Sequence, residues 1–200
     1  IQRIIFTGLT DVLLKDILDQ FYPLEICNYT QIYKKLIHYK SEVHMDYTIR
    51  ELKQSEFKIL DIFLYEAIFI PEGVEAPSKD IIKNPELQIY ISEFGKDTDI
   101  CYVAETAGNI IGAVWTRIIN DYGHVDDEVP SLSISILKEF RSLGIGTILM
   151  KRILAALRGQ GYSQVSLSVQ KMNYAVRMYE NVGFEVIREN EEDYIMVCKL

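Results

Sequence analysis

The chain has little in it that would staple or anchor a fold. Its 200 residues hold three cysteines, Cys27, Cys101 and Cys198, far apart and in no CxxC pair. A disulfide framework and a zinc site are both disfavoured, so no metal is expected and the cytoplasm is the expected setting. No apolar run reaches the roughly 18 residues of a membrane span, because Lys15, Asp61 and Glu66 interrupt the longest stretches. The opening residues carry Asp11 and lack the small-residue cleavage site of a signal peptide. A membrane is therefore not an expected partner. A broad basic footprint is also missing: 29 acids against 21 Lys and Arg leave a net charge of −8, which argues against nucleic acid. With only 11 Gly and 5 Pro, disordered and collagen-like classes drop out.

What is present is a 48% apolar chain, long enough to bury roughly 70% of its unfolded surface as one domain. Its charge is uneven. Residues 138–177 carry seven cations (Lys138, Arg141, Lys151, Arg152, Arg158, Lys171 and Arg177) against one acid, Glu139. That window is +6, and the remaining chain is −14. Local cationic charge on an acidic protein suggests a small anionic ligand, such as a phosphorylated cofactor. A solvated helix face would look the same.

Residues 1–45 read as an added helical arm of unknown role. Thr10 and Asp11 mark an N-cap, followed by Val12, Leu14, Ile17, Leu18 and Phe21 at near-helical spacing. The arm could dock on the main domain or mediate dimerisation, which makes a second copy of the chain a candidate partner. From residue 46 the pattern changes to that of a mixed domain. A strand starts near Tyr47, and Ser55 caps a helix over about 56–69 bearing Phe57, Leu60, Leu64, Ala67 and Ile68. A helix over 85–94 has Asn84 at N-cap, Pro85 at the first helical position and Gly95 beyond its end. Its apolar face is Leu87, Tyr90, Ile91 and Phe94.

Strands over 100–106 and 110–119 flank the hairpin loop Ala107-Gly108-Asn109. A strand over 132–137 alternates Leu132, Ile134 and Ile136 with Ser133 and Ser135. A helix over 144–158 turns Ile145, Ile148, Leu149, Ile153, Leu154 and Leu157 inward. A strand over 164–169, a short helix over 174–182 closed by Gly183, and strands over 184–188 and 193–199 complete the chain.

Chemistry gathers where the strand over 132–137 runs into Arg141-Ser142-Leu143-Gly144-Ile145-Gly146 and then a helix. Glycines at i and i+2 let the backbone bend closely around a ligand. The amides of Leu143, Gly144, Ile145, Gly146 and Thr147 then lie unpaired at a helix N-terminus, a ready site for a pyrophosphate. A Rossmann site would want a third glycine where Leu149 stands and an acid after the next strand, which ends at Val169-Gln170. No Walker sequence occurs.

The run resembles the acetyl-CoA motif Q/R-x-x-G-x-G/A of the GNAT acetyltransferases, with Arg141, Gly144 and Gly146 in its three specified positions. Asn173-Tyr174-Ala175-Val176-Arg177-Met178-Tyr179, ending in Gly183-Phe184, is similar to that family's second signature, N-x-x-A-x-x-x-Y followed by G-F. The resemblance covers about residues 47–200 and implies an α/β fold. Its core would be a mixed, mostly antiparallel sheet of about seven strands with helices on both faces. It implies an acetyl-CoA-dependent N-acetyltransferase acting by direct attack of a primary amine, without an acyl-enzyme. The pantetheine arm would pair with the main chain of Ile136 and Leu137, the pyrophosphate would rest on amides from Arg141, Ser142 and the residues through Thr147, and Asn173 would hold the thiol end.

Tyr179 would be the general acid, since a phenol near 10 can protonate a departing thiolate near 8.5. Read without the motif, Tyr179 is a core tyrosine on one helix face with Ala175 and Val182. The general base is open among Glu105, Asp126, Asp127 and Glu128, which could equally attract a cationic small-molecule or peptide amine. His38, His44 and His124 are given ordinary surface or capping roles. Trp115 and Ile134 could shape the acyl end of the cleft or be core. Two other classes stay open: a GNAT-like module that senses acyl-CoA and transfers nothing, and an interaction protein whose business lies in residues 1–45.

Overall fold

The computed structural model describes residues 46–200, so the expected arm over 1–45 lies outside the described residues, as do Cys27, His38 and His44. The strands are β1 (Thr48–Glu51), β2 (Ile100–Thr106), β3 (Asn109–Arg117), β4 (Ser131–Ile136), β5 (Gln164–Gln170), β6 (Phe184–Glu189) and β7 (Asp193–Lys199). They form one sheet in the order β1-β2-β3-β4-β5-β7-β6. All neighbours are antiparallel except β4 and β5. The helices are α1 (Leu60–Ala67), α2 (Pro85–Gln88), α3 (Ile145–Gly159) and α4 (Val176–Asn181). This is the mixed, mostly antiparallel seven-stranded sheet that the sequence implies. Among the described residues, no helix is long and apolar enough to cross a membrane.

Alternation along the strands supplies a core on each face. On one, Leu60, Phe63 and Leu64 of α1 meet Cys101, Val103, Ala113 and Trp115. On the other, α3 packs on β2, β3 and β4 through Ile145, Leu149, Met150, Ile153, Leu154 and Leu157. Each such side chain taken out of water contributes roughly 1.5–3 kcal/mol. Ile148, expected inside, is 45% exposed, and Met150 is buried instead. The serine rows of β4 are not a solvent face either: Ser135 is buried, and its hydroxyl donates to the Phe63 carbonyl at 2.7 Å.

Two expected helices are shorter than their apolar spacing suggests. The stretch over 56–69 opens as a 3-10 turn, Gln54–Ile59, with Lys53 rather than Ser55 at its N-cap. The segment over 85–94 starts as expected, with Asn84 accepting from the Glu86 N–H at 3.0 Å, but α2 stops at Gln88. Its downstream carbonyls are claimed from across the fold. The buried Arg117 guanidinium donates to Ile89 O (2.9 Å), Ser92 O (2.7 Å) and Glu93 O (3.3 Å). Trp115 Nε1 takes Tyr90 O at 3.1 Å. Asp99 pairs with Arg117 Nε at 3.0 Å, and both side chains are almost fully buried.

The feature that positions the site is where β4 and β5 part. They pair only at Ser131 and Ser166, with the Ser166 N–H donating to Pro130 O at 3.0 Å. Beyond that point β5 pairs along its whole length with β7, and β4 stays on β3. A V opens between them.

Candidate active site

The V widens into a cleft of about 1220 Å³ that runs from the loop before α3, past α4, to the segment after α1 and the β3–β4 loop. In an antiparallel pair, main-chain groups alternate between partner and opposite side. The Leu137 N–H donates to Ile111 O at 3.0 Å, so the groups of Ile134 and Ile136 are the ones that face the V. Leu137, expected to pair with a bound ligand, is spoken for: its carbonyl accepts from the Phe140 N–H at 2.9 Å. Its side chain packs on the α1 core.

The candidate anion site is built from backbone. Ser142 (φ 62°) and Gly144 (φ 79°) both take left-handed conformations, a turn that aims successive amides at one point. Helix geometry leaves the N–H groups of Ile145, Gly146 and Thr147 without intrahelical acceptors; the Ile148 N–H is the first to return, to Gly144 O at 3.3 Å. No atom lies within 4 Å of where a Cβ on Gly144 would stand. A Cβ on Gly146 would come within 3.1 Å of Met178 Sδ, so this glycine lets α3 and α4 close on each other. These residues fit a pyrophosphate-bearing ligand: open, unpaired amides at the start of a four-turn helix.

Of the expected ligand-binding residues, Ile136, Arg141, Ser142, Gly144, Ile145, Gly146, Thr147 and Asn173 all line the cleft, whereas Leu137 and Leu143 do not. The Arg141 side chain is engaged within the protein. Its Nε donates to Ile136 O (2.9 Å), and its Nη2 pairs with Glu66 at 2.8 Å. Its charge is matched within the protein, and its fork fastens the loop to β4 and to the end of α1. Nor does the cationic window converge on the site. Arg152 stacks over the Tyr102 ring at 4.7 Å, and Lys171 pairs with Glu189 at 2.7 Å. Only Lys138 and Arg141 of the seven line the cleft.

Tyr179 lines the same cleft from α4. It is buried, tilted against Phe184 with ring centroids 6.0 Å apart. Burial, and secondarily Tyr174, pushes its phenol well above the ordinary range, so it stays protonated at any working pH. Asn173 Oδ1 accepts from the Ala175 N–H at 2.9 Å and starts the turn that leads into α4. That helix begins at Val176 rather than Tyr174.

None of the four carboxylates considered as a base reaches the cleft. Glu105 is held by Arg50 at the sheet edge, Asp126 accepts the Glu128 N–H at 2.9 Å, and Asp127 is exposed. His124 stays within its own loop, with Nδ1 3.3 Å from Ile119 O and Nε2 3.5 Å from Asp127. The carboxylate that does line the cleft from this loop is Asp121. Nothing in its local sequence separates it from the acids that follow. Among the described residues, no group of three or more His, Cys, Asp or Glu is arranged to hold a metal ion.

Residues 66–197 match the model of a known family, the acetyltransferase (GNAT) domain. An N-alpha-acetyltransferase of Sulfolobus acidocaldarius is 28% identical over 127 residues, covering 56% of this chain and 73% of that protein. Mycothiol acetyltransferase of Thermobispora bispora is 35% identical over 85 residues, 42% of this chain but only 29% of that one. Among solved structures, the PaiA N-acetyltransferase of Thermoplasma acidophilum, in complex with coenzyme A, superposes with a TM-score of 0.58. It shares 21% identity, covering 78% of this chain and all of that one. The ribosomal-protein-S18-alanine N-acetyltransferase of Escherichia coli gives 0.56 at 17% identity, covering 77% and 94%. At these identities the structural likeness is one of fold.

Proposed function

Since the chain belongs to the GNAT acetyltransferase family, we propose that it moves the acetyl group of acetyl-CoA directly to a primary amine, with Tyr179 as general acid. The observation that carries this reading is one continuous cleft. It holds the unpaired amides before α3, the free main-chain edge of β4 and the Tyr179 side chain. The amides from Ser142 to Thr147 hold the pyrophosphate, with the helix dipole behind them. The main chain of Ile134 and the N–H of Ile136 offer partners to the pantetheine amides. Arg141 keeps that edge in place through Ile136 O and Glu66.

Tyr179 keeps its proton until charge develops on sulfur. The burial that raises the phenol also raises a thiolate leaving within the same cleft, so the two stay close enough for transfer. The acceptor enters from the other end, past Ile68, Val74, Leu87 and Tyr122. Asp121, Glu192 and Asp193 also line the cleft and suit a cationic amine.

Calorimetric titration of the full chain tests the donor half of this reading. Acetyl-CoA and CoA bind at submillimolar concentration and NAD does not; equal binding of NAD, or none of acetyl-CoA, contradicts it. Gly144→Ala probes the cradle itself. The left-handed φ costs an alanine about 1–2 kcal/mol, a fall of roughly 2–8 °C in Tm for a domain of this size. Re-aiming the amides weakens acetyl-CoA binding by about tenfold or more, the worth of one hydrogen bond to a charged acceptor. An unchanged Kd would remove the loop from the binding site.

A further inference from the structure

The β3–β4 loop is wedged into the mouth of the V. A Cβ on Gly123 would lie 2.9 Å from Ser131 Oγ, 3.0 Å from the Leu167 carbonyl carbon and 3.0 Å from Ser168 N. Only a glycine lets the loop backbone approach β5 this closely. The approach carries Asp121 inward to line the cleft. Its Oδ1 accepts the Gly123 N–H at 3.1 Å, its Oδ2 accepts the Ser131 hydroxyl at 2.6 Å, and the Tyr90 phenol stands beside it. Tyr90 is itself held by Trp115 through its carbonyl. The Gly123 and Ser131 donors fill two of about four acceptor sites and leave the carboxylate room for a further partner, and it lines the same cleft as Tyr179.

We infer that Asp121 seats the acceptor's ammonium group and takes its first proton. The inference rests on the transfer reading above. The ammonium passes one proton to an Asp121 oxygen, and the neutral nitrogen attacks the thioester carbonyl carbon. As the C–N bond forms and the C–S bond breaks, sulfur leaves with the proton of Tyr179, and the second proton on nitrogen restores the phenol. Asp121 then returns its proton to water. One proton is released per amide formed, and no oxidant or further reactant is involved. Burial raises the Asp121 carboxyl above the usual carboxylate range, while Ser131, Tyr90 and backbone N–H groups hold that rise in check. Tyr90 stands beside it, and Tyr122, Glu192 and Asp193 are the other titratable groups of the adjoining elements that line the same cleft; Glu86 reaches Tyr122, and His124 reaches Ile119 O.

Initial rates with spermidine, and with a short peptide bearing a free N-terminal amine, test this on the full chain. Asp121→Asn lowers kcat/KM by about 100-fold or more, with Tm and the Kd for acetyl-CoA unchanged. Its residual rate climbs about tenfold per pH unit up to the amine's own pKa, because only free amine reacts. The wild type levels off once Asp121 is ionised. Asp121→Glu recovers part of the loss. Tyr90→Phe removes the neighbouring hydroxyl, which favours the ionised form, so the acid limb of its rate profile moves to higher pH. Wild-type rates and profile in Asp121→Asn, an unmoved acid limb in Tyr90→Phe, or loss of acetyl-CoA binding along with activity would each overturn the assignment of Asp121 alone. A wild type that binds acetyl-CoA and consumes neither amine contradicts the transfer reading beneath it.

Discussion

Tyr179→Phe is expected to lower kcat by about 10²–10⁴-fold, the usual range for removing a general acid, and to leave the Kd for acetyl-CoA where it was. The reasoning is geometric before it is chemical. Tyr179 is packed against Phe184 on a helix that touches the start of α3 through Met178 and Gly146. No described residue bonds its hydroxyl, so deleting that oxygen breaks no internal hydrogen bond. A core tyrosine in this position would tolerate phenylalanine with little change in either rate or stability. The variant therefore separates the two readings of this residue. Steady-state kinetics with a calorimetric Kd and a melting curve measure all three quantities, and retained kcat would return Tyr179 to the core.

Arg117→Ala is expected to destabilise the domain by about 3–5 kcal/mol, because breaking a buried pair leaves the other charge uncompensated. For a domain of this size that is a fall of roughly 6–20 °C in Tm. Asp99 would be stranded without its partner, and the carbonyls of Ile89, Ser92 and Glu93 would lose their donor together. The cation–π contact with Phe94 at 5.4 Å would go as well. The loss reaches the site, since the same segment carries Tyr90, which lines the cleft beside Asp121. Partial unfolding of residues 89–94 should therefore weaken turnover even at temperatures where the sheet survives. A Tm shift smaller than about 2 °C, within the range of an ordinary surface change, would contradict the role given to this ion pair.

Arg117 also explains which parts of the fold sequence reading misses. The cap at Asn84, Pro85 and the apolar spacing from Leu87 to Phe94 describe a helix correctly at its start. They say nothing of a guanidinium from a strand more than twenty residues on that diverts the helix's carbonyls. The loop from Arg141 to Gly146 was legible because its constraint is local: the left-handed residue just before the helix, Gly144, is one that glycine adopts without strain. The cationic window misled for a periodic reason. Charges on a helix and on the next turns point in different directions, so Arg152 and Lys171 found partners of their own. Asp121 was invisible among its acidic neighbours because its burial is made by Gly123 against β5, a tertiary contact with no local signature. Leu137 differs from Ile136 only by which side of β4 its main chain faces, and that depends on the β3 register.

Acetyl transfer at this cleft is tested most directly by following acetyl-CoA and an amine together. The full chain is mixed with acetyl-CoA and each of a panel of primary amines, free thiol is recorded, and the amine is examined by mass spectrometry. The account predicts thiol release that depends on the amine, with one acetylated amine formed per thiol, and its loss in Tyr179→Phe. Tight acetyl-CoA binding with no amine-dependent thiol release across the panel would contradict it and leave a binding module instead of an enzyme.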